Sequence, residues 1–294
     1  METSPFLLIT VVTTFGLLLG SFLNVVIFRY PIMLFREWES MAKEVLTDRG
    51  FKLSPPEKPV DSQPEKFNLV VPRSACPKCG HNITAIENIP LISYLFLGGK
   101  CKDCKTPISI RYPFVELLTG ITFGLCAWHF GFGWPLAFAL VITAYFVAMS
   151  MIDIDHQILP DNMTLPLVWL AIVAGYLELF VSLPEAVIGA IAGYLALWSV
   201  YWLFKLLTGK EGMGYGDFKL LAVIGALVGW QKLGLVIVLS AGVGAILGGL
   251  LLVIQNKDSQ TKIPFGPYLA VAGWITFIWG DILLDSYMRY AGLK

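Results

Sequence analysis

Charge is what this sequence has least of. Of its 294 residues, 14% are Asp, Glu, Lys or Arg, where a soluble chain carries about 25%. Hydrophobic residues make up 56% and aromatics 13%, which excludes a soluble globular domain. The net charge is zero, an average over two unlike regions, and no nucleic-acid partner is expected. Histidine is scarce, at three. There is no H-E-x-x-H and no G-x-S-x-G, so neither a helix-borne catalytic zinc nor a serine nucleophile elbow is offered. No strand precedes Gly212-Met213-Gly214-Tyr215-Gly216, and the run does not match G-x-G-x-x-G, so it is no dinucleotide loop. The five cysteines are too few and too clustered for a secreted disulfide framework. The N-terminus lacks the basic residues of a signal peptide, since Glu2 is the only charge before the apolar stretch Pro5 to Phe28. At about 24 residues that stretch can cross a core of roughly 30 Å and is expected to stay as an anchor.

Long apolar runs are what the sequence does have. Eight can be drawn, at about 5–28, 113–129, 134–152, 163–182, 184–204, 218–230, 233–254 and 265–284. Lipid leaves no partner for unpaired backbone groups, so each is expected to be helical. The run 218–230 is too short to cross alone. Pairs of glycines four apart, Gly16 with Gly20, Gly189 with Gly193 and Gly244 with Gly248, let helices approach closely. Charge is concentrated in residues 29–112, which hold 13 of the 21 Lys and Arg. If that stretch is cytoplasmic, so are the loops 153–162, 205–217 and 255–264. That side then carries 18 of the 21 basic residues, as the positive-inside rule requires. Both termini fall on the other side. The expected organisation is an all-α polytopic membrane protein of about eight transmembrane helices with a cytoplasmic four-cysteine zinc-binding insert. Its parts are a first helix (1–28), the soluble module (29–112) and a seven-helix membrane domain (113–294).

Within the module, Cys76-Pro77-Lys78-Cys79 and Cys101-Lys102-Asp103-Cys104 are separated by 21 residues. Each C-x-x-C turn can aim two sulfurs at one ion, and two turns complete the closed tetrahedral site that structural zinc prefers. With four thiolates present, His81 reads as a surface histidine. Residues 36–68 are polar and contain Pro55, Pro56, Pro59 and Pro64, which predicts a mobile connector. Cys126, alone in an apolar run, reads as a small buried hydrophobe.

Acids at membrane depth are costly and mark function by default. Two places carry them on one expected face. Asp153 and Asp155 close the third run, with Asp161 opening the fourth, and Asp217 follows a glycine turn at the head of the short sixth run. Asp161, after Pro160, reads as a helix N-cap. Asp153 and Asp155 are two apart, so a helix sends them to different faces and only one can face the bundle. Two carboxylates brought together in a poorly hydrated site resist double ionisation and share one proton. The charged member can then take a proton from water while the neutral one polarises a carbonyl. The same acids would also suit a proton or cation path, so an ion-coupled transporter with a structural zinc module is the alternative.

Several of these motifs together resemble the type IV prepilin peptidases. They are Gly20-Ser21-Phe22-Leu23-Asn24 with Arg29, both C-x-x-C pairs, Arg111-Tyr112-Pro113 with Glu116, and Ile152-Asp153 with Leu159-Pro160-Asp161. Gly214-Tyr215-Gly216-Asp217 and Pro264-Phe265-Gly266-Pro267 complete the set. The resemblance covers nearly the whole chain. It implies that the catalytic pair is Asp153 and Asp217, selecting Asp153 over Asp155, and that the zinc ligands are Cys76, Cys79, Cys101 and Cys104. It further implies a two-step enzyme of the bacterial inner membrane. An aspartic endopeptidase would cut basic leaders from prepilins and type II secretion pseudopilins after a glycine. An N-methyltransferase would then modify the new N-terminus from S-adenosylmethionine, with no residue assigned to that donor.

Overall fold

The computed structural model describes residues 4–51, 66–255, 264–290 and 292. Among them the chain is helical, with two isolated antiparallel bridges and no strand. Eight helices carry the eight apolar runs, wholly or in the main: α1 (Pro5–Asp48), α3 (Arg111–Phe130), α4 (Trp134–His156), α5 (Asp161–Tyr176), α6 (Leu183–Thr208), α7 (Tyr215–Val228), α8 (Leu233–Gln255) and α9 (Gly266–Tyr290). A short α2 (Ile92–Phe96) lies in the charged stretch. Four helices, α1, α4, α6 and α9, are long and apolar enough to cross a membrane. A fifth span results if α7 and α8, bent by 118° at Gly229, are one broken crossing. This is a helical membrane protein with four to five such spans among the described residues.

Two local readings are corrected. Residues 36–48 are not connector but continue α1, which passes through Pro31 without ending. Glu, Met, Ala, Lys and Leu favour helix there, and Lys43 pairs with Glu39 one turn back at 2.7 Å. Proline density beyond residue 54 pulled the reading too far upstream. Those four prolines lie outside the described residues, as do Lys257 and Lys262. The fourth run also stops short. α5 ends at Tyr176, where Glu178 takes a left-handed conformation and the Leu179 N–H closes back on the Ala174 carbonyl at 3.0 Å. The next helix then starts from a capping box, the Ser182 N–H donating to Glu185 at 3.1 Å.

The chain divides into two compact units, residues 13–121 and residues 1–12 with 122–294. In the first, α1 packs on the N-terminal part of α3. A Cβ on Gly20 would sit 2.7 Å from the Glu116 backbone, so glycine is what permits the approach. Asn24 donates to the Tyr112 carbonyl at 3.1 Å. Arg29, 6% exposed, donates to the Asn68 carbonyl at 2.8 Å and lies over the Phe67 ring.

In the second unit α7 is the centre. It touches α5, α6, α8 and α9, and every residue from Asp217 to Val228 except Lys219 is buried. A helix apolar all round is a core helix, which explains why 14 residues suffice. Its closest neighbour is α6. A Cβ on Gly189 would run into the Gly225 carbonyl and one on Gly193 into the Leu221 carbonyl. These two glycines bring the backbones into direct contact and fix the height of α7 against α6.

Candidate functional site

Asp153 lies in the last turn of α4 and Asp217 in the first turn of α7, and they are 5% and 7% exposed. Three devices bring them together. Their chain ends face each other, close enough for Asp217 to feel the Asp153 charge. Leu159, in the link from α4 to α5, packs against both Gly216 and Gly266, where an added Cβ would meet its side chain at 2.7 and 3.1 Å. The Gly266 N–H, at the start of α9, donates to Asp153 Oδ2 at 3.1 Å. A helix N-terminus suits a carboxylate, and α9 offers its first N–H to this one. Three helix ends and one leucine thus hold two buried carboxyls. Such a pair can share one proton between a base and an electrophile.

The remaining acids are elsewhere. Asp155 is exposed, pointing away from Asp153 as the two-residue spacing requires. Asp161 is not an N-cap. It is the first residue of α5, the cap position belongs to Pro160, and no side chain caps the helix. Its carboxylate pairs instead with Lys219 Nζ, one turn into α7. Proximity to a cation across the helix pair outweighs the local N–H groups. Leu159 and Gly266 stand in the motifs that carry the resemblance but had no role there, and no local signal marked Lys219 as a partner of Asp161. For Gly266 a further signal is that Phe265-Gly266-Pro267 places a proline just inside a helix start.

The cysteines form a second cluster. Each C-x-x-C turn is closed by its own bridge, Ala75 with Asn82 and Lys100 with Pro107. Within the turns the Cys76 N–H donates to the His81 carbonyl at 2.9 Å and the Cys101 N–H to the Thr106 carbonyl at 2.8 Å. The four sulfurs lie within 4.8 Å of one another. Cys76 and Cys104 are 3.7 Å apart and Cys79 and Cys101 3.9 Å. That is far beyond a disulfide of about 2.05 Å. It matches the edge of about 3.8 Å in a tetrahedron with sulfurs about 2.3 Å from zinc. The donor set therefore fits one four-thiolate ion. The thiols are unequal without it. The Thr106 hydroxyl and N–H pull Cys104 down to about 6. The N–H groups of Cys79 and Lys78 lower Cys76. The His81 N–H acts the same way on Cys79, but burial and the three neighbouring sulfurs outweigh it and push that thiol up to about 12. A cation would remove that penalty, because the sulfurs then face positive charge. His81 is no lone surface histidine. It contacts Glu87 and Asp103, and neither contact was legible in the spacing.

Comparison with known proteins finds matches along nearly the whole chain. Residues 14–130 match the family model described as the bacterial peptidase A24 N-terminal domain, and residues 140–249 that of the type IV leader peptidase family. Curated proteins named prepilin leader peptidase/N-methyltransferase are similar over the full chain. The one from Pseudomonas aeruginosa is 55% identical across 100% of this chain and 98% of its own length. That of Stutzerimonas stutzeri is 54% identical with the same coverage. That of Aeromonas hydrophila is 52% identical over 97% of this chain and 95% of its own. No solved structure matches. The chain belongs to the type IV leader peptidase family.

Proposed function

We propose that this protein removes leader peptides from prepilins and pseudopilins with Asp153 and Asp217, then methylates the new N-terminus. One observation carries the proteolytic half: two buried carboxyls at facing helix ends, within electrostatic range, one oriented by the Gly266 N–H. In the proposed cycle the ionised member of the pair takes a proton from water. The oxygen attacks the carbonyl carbon of the leader glycine while the protonated member donates to the carbonyl oxygen. Collapse of the tetrahedral intermediate breaks the C–N bond, and the amine leaves with a proton from the pair. No metal is needed. A basic leader in the cytoplasm with an apolar stem in the bilayer would present its junction at the depth of these helix ends.

The finer features belong to the same reading. All eight long helices are embedded in the bacterial inner membrane, and lipid surrounds the bundle. Residues 1–28 form the first helix, 29–112 a cytoplasmic zinc module and 113–294 the membrane protease domain. Both aspartates face the cytoplasm, as the basic residues of the loops require. Zinc at Cys76, Cys79, Cys101 and Cys104 would have no open position, so it would hold the module's turns together. S-adenosylmethionine enters as the methyl-donating second substrate.

The test is cleavage of a cognate prepilin by detergent-purified protein. Asp153→Asn and Asp217→Asn should each abolish it while leaving the protein at normal levels in the membrane. Full cleavage by Asp217→Asn would remove the aspartic mechanism. Labelled methyl transfer to pre-cut pilin should survive Asp217→Asn, since that step has no use for the carboxyl pair.

A further inference from the structure

We propose that His81 is a positioning residue for the metal site: it ties the two cysteine turns together and holds the four sulfurs in register. Its carbonyl accepts the Cys76 N–H at 2.9 Å, so its backbone is part of the first turn. Its ring reaches into the second, where Nδ1 lies 2.8 Å from Asp103 Oδ2, and Asp103 sits between Cys101 and Cys104. The other ring nitrogen, Nε2, lies 3.0 Å from Glu87 Oε2. Glu87 is itself anchored by the Thr84 N–H at 2.9 Å. Its second oxygen faces Lys102 Nζ at 3.2 Å, an ion pair without hydrogen-bond geometry.

Lys102 is the other intervening residue of the second turn. Both residues between Cys101 and Cys104 are therefore engaged from the first turn's side, Asp103 by His81 and Lys102 by Glu87. The ring is 21% exposed and the Glu87 side chain 10%, while Asp103 and Lys102 are 56% and 60% exposed, so each contact has one sheltered end and one end open to water. Both ring nitrogens face carboxylates and four sulfurs already complete a shell, which leaves the imidazole outside it. The bridges Ala75–Asn82 and Lys100–Pro107 close each turn on itself but not on the other. Between the turns, apart from the sulfurs, the structure supplies this pair of contacts. Groups that orient metal ligands from outside the shell are worth about 10–100-fold in metal affinity.

The experiment uses zinc-loaded full-length protein in detergent, reading zinc release to a colorimetric chelator and the absorption of the cobalt-substituted form. It rests on the metal reading. Wild-type protein that binds no zinc fails that reading before any variant is compared. With zinc bound, His81→Ala should release it at least about tenfold faster and keep the cobalt–thiolate bands of a four-sulfur site. Asp103→Asn should shift release in the same direction by less. His81→Asn, whose amide can stand near the Nδ1 position, should recover part of the loss. Wild-type release from His81→Ala overturns the proposal. So does a changed ligand set in its cobalt spectrum, which would make His81 a ligand. If His81→Ala does not fold, Asp103→Asn decides, and wild-type release there overturns it.

Discussion

The aspartate pair and the cysteine cluster solve the same problem, convergence of reactive side chains, by opposite routes. Asp153 and its Gly266 donor are 113 positions apart, and helix packing alone brings them together. The cysteine turns are local. Each closes within a few residues by its own backbone hydrogen bonds, and no large core stands behind them. The first route gives a buried site whose geometry is set by the packing of the bundle. The second gives a partly exposed cluster that a cation would complete, as in small domains whose core is too small. Chemistry on water and a peptide needs the first kind. Holding a loop in shape needs only the second.

The largest effect that would sharpen this contrast is loss of either carboxyl. Asp153→Asn or Asp217→Asn should lower cleavage by about 10⁴-fold or more, and the double variant should be no worse, because residues acting as a unit are not additive. Zinc content should not change. If either variant also lost metal, the two regions would not be independent. Next comes Gly266→Ala, whose methyl would lie 2.6 Å from Asp153 Oδ2. A displacement approaching 1 Å costs about 10²-fold, read as a drop in kcat for prepilin cleavage in a protein of normal thermal stability. Unchanged kcat would mean that the α9 N-terminus does not hold the carboxyl.

Removing two ligands acts on the other side of the comparison. On the metal reading, elemental analysis should find about one equivalent of zinc, and Cys76→Ser with Cys79→Ser should abolish it and open residues 66–110 to protease. The membrane helices should stay resistant. The smallest effect is expected from Asp161→Asn, since the Asp161 carboxylate is 56% exposed and such ion pairs are worth about 0–1 kcal/mol. Cleavage should fall less than about tenfold. A loss as large as that of Asp217→Asn would make the Lys219 contact part of the reaction.

Much of this was readable in the sequence because charge is so rare there. An acid at the edge of an apolar run stands out, and each of the eight runs is helical over most of its length, the fourth ending early at Tyr176. Paired C-x-x-C turns carry their own geometry, and the sulfurs do cluster. What the sequence withheld was every contact that depends on which helix end meets which. The Asp161 carboxylate obeyed no local capping rule because it pairs with Lys219, 58 positions away. The same holds for Leu159 between two glycines. The continuation of α1 to Asp48 is a different failure, in which prolines downstream were allowed to outvote good helix formers upstream.

The donor to Asp153 comes from α9, the last of the long helices to leave the ribosome. Chains are made from the N-terminus, so α4 and α7 are already in place while Asp153 still lacks the N–H that orients it. A nascent chain stopped before residue 264 would carry both aspartates but lack the Gly266 hydrogen bond. On the proposed reading, translation itself would then impose a delay, the carboxyl pair lacking its oriented member until α9 had been synthesised.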